Sequence, residues 1–68
     1  MTRARFAMDN DTMVRELVRF GEDQLRVLGK VAGGRYIARC LALWRESYGE
    51  AVAVRVREKL AKAWESVG

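Results

Sequence analysis

Apolar residues recur along this chain at alternating steps of four and three, the spacing that lines up one side of an α-helix. Over residues 12–31 two such stripes run side by side. One is Met13, Leu17, Phe20, Val27 and Val31, with Gln24 interrupting. The other is Val14, Val18, Leu25, Leu28 and Ala32, with Gly21 interrupting. Together they predict a helix whose apolar face is too wide for a single two-stranded seam. A face of that width calls for two neighbouring helices or a dimer partner. Gly21 costs about 1 kcal/mol against alanine inside a helix. Its place on the apolar side predicts the close approach of another backbone, or a kink.

The cluster Gly29, Gly33 and Gly34 predicts the end of this helix. Lys30 would lie in the last turn, where a cation suits the negative end of the dipole. The stretch 29–35 has a faint look of a phosphate-cradling loop. It lacks the Walker spacing and the Lys-Ser/Thr pair, and no strand precedes it, so it is read as a turn. A second helix is predicted over residues 35–48 from the spacing of Ile37, Leu41, Trp44 and Tyr48, flanked by Tyr36, Cys40 and Leu43. Ala38 and Ala42 give one side of it a low profile, against which another helix can pack closely. Gly49 is the expected left-handed stop.

The last segment, residues 50–67, carries two patterns. Val52, Val54 and Val56 alternate with Ala53 and Arg55, a period of two that suits a strand. A lone strand would have no partner, however, and residues 57–65 are rich in strong helix formers. Ala53, Val56, Leu60 and Val67 also fit helical spacing, and Glu58 stands four residues before Lys62, a favourable helical pair. The segment is predicted as helix. Residues 1–10 show no period and carry Arg3, Arg5 and Phe6. They are expected to form a flexible arm, with Asp11 or Thr12 capping the first helix. The fold class that follows is all-α. A single domain over 11–68 forms a small bundle of three helices of roughly 19, 14 and 17 residues.

Composition narrows the chemistry. The 68 residues include no histidine, no proline and one cysteine, Cys40. Most acid–base, nucleophilic and metal chemistry runs through imidazole, paired thiols or clustered carboxylates. None of those sets is assembled here, so no enzymatic activity, cofactor or metal is expected. Cys40 falls in an apolar stripe and reads as a small buried hydrophobe, consistent with a reducing, cytoplasmic setting. No stretch approaches the length of a membrane span, and residues 1–8 lack the apolar core of a signal peptide. A chain this short buries a thin core, so a homodimer or an obligate partner is expected in preference to a free monomer.

Charge adds a direction. Thirteen Lys and Arg oppose nine Asp and Glu, a net +4, and ten of the thirteen are arginine. Arginine pairs with carboxylates and phosphates bidentately. On the first helix Arg15, Arg19, Glu22, Arg26 and Lys30 form a polar stripe opposite the apolar face. Arg35 and Arg39 lie one turn apart on the second helix, and Arg55, Lys59 and Lys62 mark the third. If these stripes face one way, about eight cations form a surface able to follow a phosphate backbone. If they diverge, Glu16 with Arg19, and Asp23 or Glu22 with Arg26, neutralise them locally.

The aromatic residues Phe20, Trp44 and Trp64 fit core stripes. A helix–turn–helix arrangement would start its recognition helix with Glu50, Ala51, Val52 and Ala53, which offer nothing to read base edges. The expected function is a protein-binding module acting by stoichiometric occlusion. It would touch a partner protein with an acidic surface through Arg15, Arg19, Arg26 and Lys30, with Arg35 and Arg39 as a second set. A phage or mobile-element inhibitor of a host nucleic-acid-handling complex, anti-CRISPR-like, is one concrete form. The alternative is non-specific nucleic-acid binding through the same cations together with Arg55, Lys59 and Lys62.

Overall fold

A computed structural model describes residues 9–67. It contains three helices, α1 (Asn10–Leu28), α2 (Lys30–Tyr48) and α3 (Glu50–Ser66), and no strand among the described residues. The valine alternation of residues 52–56 is therefore helical. Val52, Ala53, Val56 and Leu60 bury one side of α3, because the helix formers that follow carry the whole segment with them. The predicted arm, with Arg3, Arg5 and Phe6, lies outside the described residues, apart from Asp9 and Asn10 at its end.

Each pair of consecutive helices is joined by one residue. Gly29 closes α1 by donating its N–H to Leu25 O (2.9 Å), and its own carbonyl accepts from Gly33 N (2.8 Å) to open α2. Gly49 repeats the device twenty residues on, bonding Arg45 O and Ala53 N. Their backbones are nearly the same, φ 91°, ψ 174° and φ 98°, ψ 160°. That region of the backbone map belongs almost wholly to glycine.

The first helix boundary corrects the sequence expectation. Only Gly29 stops α1. Lys30 is the first residue of α2, and Gly33 and Gly34 lie inside that helix. These two glycines serve packing. A Cβ on Gly33 would meet Leu25 Cα at 3.0 Å, and one on Gly34 would meet the Trp64 indole nitrogen at 3.0 Å. The N-terminal cap is also displaced. Asp9, not Asp11 or Thr12, caps α1 by accepting from Thr12 N at 2.7 Å. Asp11 instead bonds Arg55 at 2.7 Å and ties the first turn of α1 to α3.

All three helices pack against one another. The core cluster is Val14, Leu25, Ile37, Val52, Val56 and Leu60, with Leu17, Val18, Leu41 and Trp44 packed at its margin. Cys40 is buried as expected, and no buried residue among those described is polar or charged. Gly21 does face the core. A Cβ there would come within 2.6 Å of Leu60 Cδ1, so the glycine lets α3 approach α1.

Phe20 and Trp64 depart from their expected place in the core. They are 40% and 42% exposed, because three helices in contact enclose a single line of side chains and both aromatics stand on its flanks. Val27 and Val31 are exposed as well. Gly29 divides their stripe between two helices.

Candidate functional site

Three helices leave three outer grooves, and the chain gives each a different chemistry. The groove between α1 and α3 is lined by Asp11, Arg15, Arg19, Glu22, Arg55, Glu58, Lys59, Lys62 and Glu65, over a floor that includes Val14 and Val18. The polar stripes of α1 and α3 thus do meet, but as five cations interleaved with four carboxylates. Arg55 is already held by Asp11. A surface of alternating sign follows a phosphate backbone poorly.

The face between α1 and α2 is apolar. Phe20 packs edge-on against Trp44, with ring centroids 6.1 Å apart, and tilts against Tyr36 at 6.2 Å. Leu28, Val31, Ala32, Arg35, Tyr36 and Arg39 line a depression beside them, and the exposed Val27 and Leu43 follow Phe20 and Tyr36 by seven residues, which puts each on its neighbour's side of the helix. The two helices contribute to this face from four- and three-residue steps: Phe20, Gln24 and Val27 from α1, and Ala32, Tyr36, Arg39 and Leu43 from α2.

The groove between α2 and α3 combines the other two chemistries. Its floor is Gly34, Ile37, Ala38, Leu41, Leu60 and Ala61, its wall is Trp64, and its only charged residues are Lys30, Arg35 and Arg57. The groove continues past Ala42 and Val54 to the Arg45–Glu50 ion pair near Gly49. Trp64 is fixed at the other end. Its indole N–H donates to Lys30 O at 3.0 Å, and Lys30 Nζ sits 4.2 Å from the ring centroid. A cation over an aromatic face is held by the ring's quadrupole, so the Lys30 charge stays at the groove rim. The low profile expected of Ala38 and Ala42 is present, and both residues are exposed. None of the three described helices covers them.

The six cations expected to act together are divided among these surfaces. Arg15 and Arg19 line the mixed α1/α3 groove, while Arg26 pairs with Asp23 on α1. Lys30 lies on the α2/α3 groove, Arg35 lines both that groove and the depression beside the aromatic face, and Arg39 borders the aromatic face. Of the local ion pairs expected, Asp23–Arg26 forms. Glu16–Arg19, Glu22–Arg26 and Glu58–Lys62 are not closed among the described residues.

Sequence reasoning missed Arg57, Ala61 and Trp64 as parts of the α2/α3 groove. Their shared four- and three-residue spacing was visible, but Trp64 was assigned to the core instead. Among the described residues no three His, Cys, Asp or Glu side chains group to hold a metal ion, and no helix is long and apolar enough to cross a membrane. Compared with protein-family models, curated proteins and solved structures, the chain matches none.

Proposed function

We propose that this protein is a non-enzymatic binding module whose α2/α3 groove accepts an acidic amphipathic helix of a partner protein. The carrying observation is that this apolar groove is open, floored by small residues and rimmed by Lys30, Arg35 and Arg57, the one carboxylate along it being Glu50 at the far end, paired with Arg45. An apolar helix face matches the floor formed by Gly34, Ala38 and Ala61. Carboxylates along the edges of that helix would meet the cationic rim, which sets register and speeds encounter more than it adds affinity. A fourth helix laid in this way would complete a four-helix arrangement. The module would act by occupying its partner. Inhibition of a host nucleic-acid-handling complex is one use of such occupancy.

A tagged pull-down from bacterial lysate tests this, run with and without nuclease on the wild type and on an Ala38→Glu, Arg57→Glu double variant. The expected result is a discrete protein that survives nuclease and is lost from the variant. Retention of nucleic acid alone, released by nuclease, would replace this reading with phosphate binding. A protein partner held equally by both forms would move the site away from the groove.

A further inference from the structure

We propose that the α1/α2 face closes on a second copy of this chain, with α1 of one protomer lying against α2 of its partner. The face presents Phe20, Val27, Leu28, Tyr36 and Leu43, each between 39% and 76% exposed. At those exposures two aromatic rings of roughly 150–250 Å² each and three smaller aliphatic side chains display on the order of 400–500 Å² of surface per copy. Covered completely in both copies, these side chains bury at most about 1,000 Å², the lower edge of a specific interface. The patch is also preorganised. Phe20 is braced by Tyr36 and Trp44, so little side-chain freedom remains to be lost on association.

Charge identifies the second copy as the occupant. On α1, Glu16 and Asp23 alternate with Phe20 and Val27 at steps of four, three and four, so the outer edge of the patch on that helix carries two carboxylates, of which Asp23 is paired with Arg26 on the same helix. On α2, Arg39 falls between Tyr36 and Leu43 at steps of three and four, so the outer edge there is basic at its centre, with Glu46 beyond it at the Gly49 end. A surface that is apolar at its middle, acidic along one edge and basic along the other is complementary to itself under a two-fold rotation.

The levels agree. Leu25 lies against Gly33, and Phe20 lies between Tyr36 and Trp44, so Asp23 is level with Tyr36, one helical turn from Arg39. A two-fold axis along the bundle keeps those levels. It brings Asp23 of one protomer within a helical turn of Arg39 of its partner, twice per dimer, where Arg39 competes with Arg26 of Asp23's own helix for the same carboxylate. The α2/α3 groove stays open on the other side of α2.

Sedimentation equilibrium across micromolar to millimolar protein reads the outcome. The wild type is expected at twice 7.8 kDa, and a Val27→Glu, Leu43→Glu variant is expected as a monomer with unchanged helicity by circular dichroism. Both positions are exposed, so the fold does not depend on them. Asp23→Arg and Arg39→Asp are each expected to weaken the dimer at least tenfold, and their combination to restore it. A wild type that stays monomeric throughout, or a Val27→Glu, Leu43→Glu variant that still dimerises, overturns the proposal. Failure of the charge exchange to restore association overturns the pairing of α1 with α2. Ala38→Glu, on the other groove, should leave the dimer intact.

Discussion

At the scale of single residues, Asp9 makes a local cap within α1 and Trp64 a contact between helices. Asp9 accepts the Thr12 backbone N–H, and that bond holds its carboxyl below the ordinary carboxylate range. A depressed pKa stabilises the fold above the unfolded value, about pH 4, and the contribution is lost as pH falls through the lowered native value. Thermal melts from neutral pH into acid are expected to show a falling Tm. Asp9→Ala should start lower and lose less on acidification. An acid limb as steep in the variant as in the wild type would assign the effect to other carboxylates.

Trp64 joins the last turns of α3 to the first turn of α2 through one hydrogen bond and one cation–π contact. Trp64→Phe keeps a ring under Lys30 but removes the donor, an expected loss of about 1 kcal/mol in urea denaturation. Trp64→Ala also removes the ring from the groove wall, for a loss of about 2 kcal/mol or more. Equal losses in the two variants would show that the ring itself contributes nothing.

At the scale of the helices, glycine has two separate uses that look alike in the sequence. Gly29 and Gly49 have positive φ with nothing within 4 Å of a built Cβ, so alanine there is strained although space is free. Each substitution is expected to cost about 1–3 kcal/mol. Gly21 is the reverse case, with unstrained helical backbone and no space. Gly21→Ala would gain about 1 kcal/mol of helix propensity and lose about 1–3 kcal/mol by crowding Leu60, so it is expected to be at best neutral.

The same substitution in a Leu60→Ala background, where the crowding atoms are gone, is expected to become stabilising. A double-mutant cycle by chemical denaturation measures that change of sign. This twofold use explains why three helices and the helical nature of residues 50–66 were legible from spacing and propensity, while the α1/α2 boundary was not. Gly33 and Gly34 carry the composition of a turn. Their helical placement is imposed by Leu25 and Trp64, which approach from other helices.

At the scale of the whole molecule, function depends on which faces lie side by side, and that follows from how the helices rotate about the core. The basic stripes of α1 and α3 were each readable. Their interleaving with Glu22, Glu58, Glu65 and Asp11 was not, because carboxylates on one helix and cations on another share no local spacing. The cation-rimmed groove was hidden for the same reason. It takes Lys30 and Arg35 from α2 and Arg57 from α3. If the partner binds in that groove, its affinity should fall only a few-fold between 50 and 200 mM salt, against roughly 10³-fold or more for a surface that engages many phosphates. Titration of the captured partner at both salt concentrations checks this.

The one-residue joints at Gly29 and Gly49 have a further consequence, for how the chain tolerates changes of length. Loops ordinarily absorb insertions and deletions because slack separates the elements they connect. Here no residue is spare. One residue added beside Gly29 would turn α2 by about 100° relative to α1, carrying Tyr36 off Phe20 and Gly33 off Leu25. In this chain the joints are where length is least free to drift, while the exposed helix faces can change residue by residue without moving their neighbours.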